Sequence, residues 1–196
     1  MINKKDFANI ISVGLKLFLI TAISACVLAV VNNITAPIIE RNTIEKQELA
    51  MKSVIENAVR FEKADMSALA LVDLRCSVTS VYNAVNSQDK TIGYAVMVST
   101  GGYGGEILLT VGIDNDLKVT GIDVISHSET PGLGENCTKP QFKEQFKGKE
   151  NGIEVVKNGA SGNQVDAISS ATITSKAVTD GVNCAITAVN IIKEAE

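Results

Sequence analysis

Between Val13 and Ile34 the chain runs for 22 residues with a single charge, Lys16, and from Leu17 to Val31 its only polar side chains are Thr21 and Ser24. At about 1.5 Å per residue a helix of that length covers a hydrocarbon core of ~30 Å. Lys16 can snorkel to the interface beside Lys4 and Lys5, and a positive flank stays on the cytoplasmic side. The pattern therefore predicts a single-pass cell-membrane protein: a cytoplasmic stub over residues 1–12, a transmembrane anchor over 13–34, and the remainder extracytoplasmic. Asn32, Asn33 and Pro37 are expected to close the span, with membrane lipid as its surroundings. Ile23-Ser24-Ala25-Cys26 looks like a lipoprotein processing box, but the apolar run continues through Val27 to Val31, which favours a retained anchor over a cleaved one.

Beyond the span, residues 35–63 read as a connecting amphipathic helix, with Ile44, Met51, Ile55 and Ala58 on one face and Glu45, Lys46, Glu48 and Lys52 on others. It can dock on the following domain or bind a partner. From about Val72 to Ile125 the signal is β. Ile92–Ser99 and Ile107–Ile113 are β-branched apolar runs, and Asp114-Asn115-Asp116 turns the chain into a further strand over 117–125. Pro140–Phe146 suggests a short helix carrying Phe142 and Phe146 at i, i+4, and Ile153–Val156 one more strand. A final helix is expected from Ser175, a candidate N-cap, to about Ala195, on the helical spacing of Val178, Val182, Ala185, Ile186, Val189 and Ile192. The fold class is α+β, one domain over residues 64–196 with an antiparallel sheet and flanking helices.

Net charge is −4 and tryptophan is absent, and no basic stripe with interleaved aromatics occurs, so nucleic acid is not an expected partner. Cys26, Cys76, Cys137 and Cys184 form no CxxC pair and His127 is the one histidine, so a metal or iron–sulfur site made from this chain is poorly supported. The last three cysteines are compatible with one disulfide or with buried thiols.

Three loops carry polar chemistry. Gly101-Gly102-Tyr103-Gly104-Gly105 separates two strands and lets a backbone or a planar ligand approach closely. His127-Ser128-Glu129-Thr130-Pro131-Gly132-Leu133-Gly134 is a constrained loop whose Glu129, Thr130 and amides can address a polar ligand edge; a rigid turn is the plainer reading. Asp166-Ala167-Ile168-Ser169-Ser170-Ala171-Thr172-Ile173-Thr174-Ser175 packs five hydroxyls into its last seven residues and runs into the final helix. Such a stretch caps helices. It also offers free N–H groups at the positive end of a helix dipole, which hold phosphate.

Two of these loops together carry a resemblance. Ser169–Ser175, preceded by Asp166, is similar to the S-G-A-T-x-T-S flavinylation motif. His127–Gly134 is similar to the H-x-E-T-P-G-L-G segment of the same FMN-binding domain family. Behind a single N-terminal span, the combination resembles the G subunits of Rnf electron-transport complexes and, next to them, the C subunits of sodium-pumping NADH:quinone reductases; the early end after the last helix favours the former. The resemblance implies an FMN joined by a phosphoester to a threonine, here Thr172, by a separate flavin transferase that uses FAD and magnesium. It implies that Asp166 assists recognition or placement of the loop. Ser169, Ser170, Ala171, Thr174 and Ser175, with the helix N-terminus, would hold the phosphate. Glu129, Thr130, Leu133 and Gly134 would line the isoalloxazine, with Tyr103 and Gly104 as a second wall. It further implies a translocase subunit that relays electrons between other membrane and peripheral Rnf subunits, with no complete catalytic site of its own. Ser170 departs from the motif, which has glycine there; if that backbone needs positive φ, serine costs about 1 kcal/mol or more.

Overall fold

The computed structural model describes residues 4–67, 69 and 76–195, and side chains from residue 12 onward except at 40. Residues 1–3 of the expected stub, and Val72 with its neighbours at the expected start of the β region, lie outside the described residues. The chain divides into two compact units, residues 1–45 and 46–196.

The first unit belongs to one helix, α1 (Lys4–Val54). It holds the one stretch among the described residues long and apolar enough to cross a membrane. Its large apolar side chains from Val13 to Ile39, Phe18 and Leu28 among them, stand exposed, as a lipid-facing surface does. α1 runs on without a break through Pro37, where the span is expected to close. Proline removes one intrahelical hydrogen bond at a cost of about 3 kcal/mol, and the good helix formers that follow, through Glu45-Lys46-Gln47-Glu48-Leu49-Ala50, carry the helix on.

In the second unit α1 ends at Val54, earlier than the expected limit at residue 63. Asn57 adopts a left-handed conformation at φ 71°, which helix ends tolerate and helix interiors do not. The Val59 N–H then donates to the Val85 carbonyl at 2.8 Å and the chain continues as strand β1 (Arg60–Lys63), where the apolar spacing predicts helix. Met51 and Ile55 are buried, as their shared face predicts, together with Val54, whereas Ile44 is exposed and Ala58 falls past the helix end.

Strands β1, β2 (Ser77–Val85), β3 (Thr91–Gly101), β4 (Glu106–Asp114) and β5 (Val119–Ser126) form a fully antiparallel sheet in sequence order. Short hairpin turns connect β2 through β5; at Asp114 the side chain accepts the Asp116 and Lys118 N–H groups at 2.9 Å. Tyr94, Val96 and Val98 alternate with Ala95 and Met97 along β3, and both sets are buried. The first set joins Ile107, Leu109, Val111 and Ile113 beneath the last helix, α3 (Thr172–Ala195). The second packs with Met51, Val54 and Ile55 at the end of α1. A sheet covered on both faces explains why β3 reads as a continuous apolar run rather than an alternation.

Between β5 and α3 come a 3₁₀ turn (Gly134–Thr138), a short helix α2 (Pro140–Lys143), a second 3₁₀ turn (Glu144–Phe146) and a parallel pair, β6 (Glu154–Val156) with β7 (Gln164–Asp166). Phe142 and Phe146 meet edge to face, ring centroids 5.3 Å apart. Cys76 and Cys184 form a disulfide across 108 residues, tying the approach to β2 onto α3. Cys137 is a buried free thiol and Cys26 an exposed one.

The seat of the α1 end is close-fitting. Thr120 donates its hydroxyl to the Val54 carbonyl, and a Cβ on Gly112 would come within 2.5 Å of the same oxygen. Gly112→Ala must push α1 off the sheet, so we expect it to cost about 1–3 kcal/mol. Urea unfolding of the full chain in detergent, followed by circular dichroism, checks this.

Candidate functional site

Three segments that are distant in sequence converge at one end of the sheet. The β3–β4 hairpin presents Gly102–Gly105, closed by a Gly102 N–H to Gly105 carbonyl bond of 2.7 Å. The loop leaving β5 presents Glu129–Gly134, and the start of α3 supplies Ala171–Thr174. Between them lies a cleft of about 440 Å³, within the range of about 300–1,000 Å³ typical of small-molecule sites.

Glu129 holds the three together. It is 5 % exposed. Its Oε1 accepts the Gly104 N–H at 2.9 Å, and its Oε2 accepts the Thr174 hydroxyl at 2.5 Å. The Glu129 N–H in turn donates to His127 Nδ1 at 3.2 Å. Glycine is required on both flanks: a Cβ on Gly102 would collide with Oε1, and one on Gly134 would sit 2.5 Å from Oε2. Gly104 is equally confined, an added Cβ colliding with the Ser128 carbonyl oxygen. The buried Cys137 thiol beside this loop is pushed up to about 11, first by burial and then by the Glu129 charge.

The hydroxyl-rich stretch sorts into distinct roles. α3 begins at Thr172, three residues before the expected N-cap, because the chain reverses at Ser170, whose φ is 62°. Ser175 is therefore inside the first turn and fully buried. Its hydroxyl donates to the Ala171 carbonyl at 2.9 Å and accepts the Ile168 N–H at 2.9 Å, so it braces the loop from behind instead of capping the helix or lining the cleft. Thr174 commits its proton to Glu129. Ser169 is exposed and outside the cleft wall. Thr172 is exposed on that wall, and among the described residues its hydroxyl has no hydrogen-bond partner. The N–H groups of Thr172, Ile173 and Thr174 precede the first intrahelical bond, Ser175 N–H to Ala171 carbonyl at 3.0 Å, and are free to bind an anion.

Of the other sequence candidates, Tyr103, Thr130, Leu133, Gly134, Ser170 and Ala171 line the cleft, and Gly104 acts through its bond to Glu129. Asp166 does not reach it. The Asp166 carboxylate accepts the Ala160 N–H at 2.9 Å, and its own N–H donates to Gln145 at 2.7 Å, which fixes the entry to the Ser/Thr loop. Ile173, 55 % exposed, also lines the cleft and is not among the sequence candidates. An apolar side chain at an exposed first-turn position is the signal that could have found it. With Tyr103 and Leu133 it makes an apolar rim.

Arranged this way, the site offers an apolar slot for a planar group, three backbone donors for a phosphate, and two hydroxyls on the wall, Ser170 and Thr172, that have no hydrogen-bond partner among the described residues. Ser170 is the strained position. Ser170→Gly should be neutral or stabilising by up to about 1 kcal/mol, the relief of left-handed strain offset in part by unfolded-state entropy; Ser170→Val should destabilise. Thermal melts of the three proteins rank them.

Known families share this layout. Residues 102–187 match the FMN-binding domain model and residues 1–54 the RnfG N-terminal region model. The chain is 34% identical over 187 residues to the G subunit of a proton-translocating ferredoxin:NAD(+) oxidoreductase complex from Clostridium ljungdahlii, covering 95% of each. It is 36% identical over 194 residues to the G subunit of the Na(+)-translocating ferredoxin:NAD(+) oxidoreductase complex of Acetobacterium woodii, covering 92% of each. Its fold is shared with the solved structure of Shewanella oneidensis NqrC (TM-score 0.54, 24% identity, 70% of this chain and 72% of that one). The same holds for the C subunit of the Parabacteroides distasonis Na(+)-translocating NADH-quinone reductase (TM-score 0.54, 24% identity, 78% and 92%). The long apolar N-terminal helix, the two matching family models and the similarity over more than nine-tenths of the chain lead to one assignment: the chain belongs to the family of G subunits of ion-translocating ferredoxin:NAD(+) oxidoreductase (Rnf) complexes.

Proposed function

We propose that this chain is the membrane-anchored flavoprotein subunit of such a complex, holding FMN through a phosphoester to Thr172 on the extracytoplasmic side and passing electrons between neighbouring subunits. The observation that carries the reading is the unengaged Thr172 hydroxyl at the mouth of an apolar cleft, beside three backbone N–H groups with no intrahelical acceptor. The donor set suits the group: first-turn amides and the helix dipole stabilise a phosphodiester, and Gly104 and Gly134 mark places where backbone comes too close for any side chain.

Each residue then has a task. Thr172 would give its oxygen to the ester and lose its proton as a flavin transferase, acting from outside the chain, breaks the pyrophosphate bond of FAD and releases AMP. The amides of Thr172, Ile173 and Thr174 would hold the phosphate, while Tyr103, Leu133 and Ile173 would exclude water from the ring. Glu129 and Thr174 fix the hairpin against the helix so that the slot keeps its width. When bound, the isoalloxazine supplies the electron transfer, and the protein sets its position and surroundings. A tether is useful where a released flavin would be lost by dilution outside the cell.

Two observations support the membrane placement and its direction. The exposed apolar surface of α1 suits lipid, and the Cys76–Cys184 disulfide suits an oxidising compartment.

Co-expression with a flavin transferase, followed by denaturing electrophoresis, should give a fluorescent band for the native chain. Thr172→Ala should be dark, whereas Thr174→Ala should keep the tag at lower yield; a dark native band would overturn the covalent linkage. Under denaturing alkylation without reductant, two of the four cysteines, Cys26 and Cys137, should react, and reduction should release the other two. Four reactive thiols before reduction would argue against the outward orientation.

A further inference from the structure

We propose that the Glu129 carboxylate lowers the reduction potential of the flavin held in this cleft, by setting a buried negative charge without a cation against the cleft wall. The inference rests on the flavoprotein reading above.

Both Glu129 oxygens are occupied, by the Gly104 N–H and the Thr174 hydroxyl. These donors are neutral dipoles: they solvate the charge without cancelling it. Among the described residues no lysine, arginine or histidine nitrogen forms an ion pair with it. His127 faces it as an acceptor, through Nδ1 to the Glu129 N–H. Gly102 and Gly134 bring backbone against the two oxygens, leaving the group 5 % exposed and so weakly screened. The field reaches its surroundings, since the Glu129 charge helps to raise the Cys137 thiol. Two-electron reduction with uptake of one proton adds one negative charge to a flavin. A nearby buried anion opposes that change by the same repulsion that separates the acidities of neighbouring carboxyls.

Glu129 thus combines a mechanical role with an electrostatic one, and the two can be separated. Glu129→Gln keeps the length and both contacts, the amide oxygen accepting from Gly104 and the amide nitrogen donating to the Thr174 oxygen, but removes the charge. Glu129→Asp keeps the charge and shortens the reach.

The test is a spectroelectrochemical titration of the covalently loaded full chain in detergent, with dithionite as reductant, alongside circular dichroism and thermal melting. Glu129→Gln should shift the midpoint to more positive potential while the fold is retained, and Glu129→Asp should stay nearer to the native value. An unshifted or more negative midpoint in folded Glu129→Gln overturns the inference, as does an Asp variant shifted as far as the Gln variant. Should Glu129→Gln not fold, Thr174→Val decides the matter. It removes a donor from the carboxylate and leaves the charge, so the midpoint should fall, and a rise overturns the proposal. A native chain that carries no flavin fails at the earlier reading, whereas a loaded native chain with these contrary shifts fails here alone.

Discussion

The pair of hydrogen bonds made by Glu129 is the constraint on which the site depends. A buried carboxylate is costly unless its oxygens are satisfied, and here one is satisfied by the β3–β4 hairpin and the other by the first turn of α3. Displacing either segment would strand a charge in the interior, so the two are held at a fixed separation. The cleft is the space between them. The glycines at 102, 104 and 134 follow from the same packing, since each yields its side-chain volume to the carboxylate or to the loop that carries it.

The sheet and α3 give this latch something rigid to act on. α3 buries one side along most of its length against β3 and β4. It is pinned at several further points: the disulfide at Cys184, the Asn183 side chain accepting the Gly152 and Ile153 N–H groups at 3.0 and 2.9 Å, and Lys193 donating to the Asn115 carbonyl at 2.6 Å. A link spanning 108 residues restricts the unfolded chain by about 4–5 kcal/mol in the loop-entropy account. The helix N-terminus therefore meets the cleft at a fixed angle.

Within the Ser/Thr stretch, similar side chains have separated into structural and chemical duties. Ser175 closes the loop behind the helix, Thr174 completes the latch, and Ser170 accepts a left-handed backbone so that the chain can turn. Thr172 is left with its hydroxyl in the open. What sets it apart from the equally unbonded Ser169 and Ser170 is its place on the first residue of α3, beside the free amides. Two of the five hydroxyls, those of Thr174 and Ser175, are consumed in holding the loop, and a count of hydroxyls in the sequence does not say which.

Local chemistry made much of this legible. The apolar run after Val13, the β-branched segments of β3 and β4, the aromatic pair Phe142 and Phe146, and the spacing of the final helix follow from solvation and backbone periodicity. The family resemblance rests on two short loops, one constrained by proline and glycine and the other dense in hydroxyls. What required tertiary structure was any outcome decided by a distant partner. The α1 end gives way to strand β1 because Val59 finds the free edge at Val85. Ser175 is drawn inside because Ile168 needs an acceptor. Glu129 becomes a latch only once Gly104, 25 residues before it, and Thr174, 45 residues after it, arrive on either side. By itself the sequence determined the elements and the kind of chemistry, since these depend on neighbours along the chain; tertiary structure alone decided which hydroxyls are tied down and which carboxylate is buried, since these depend on contacts between residues that are neighbours only in space.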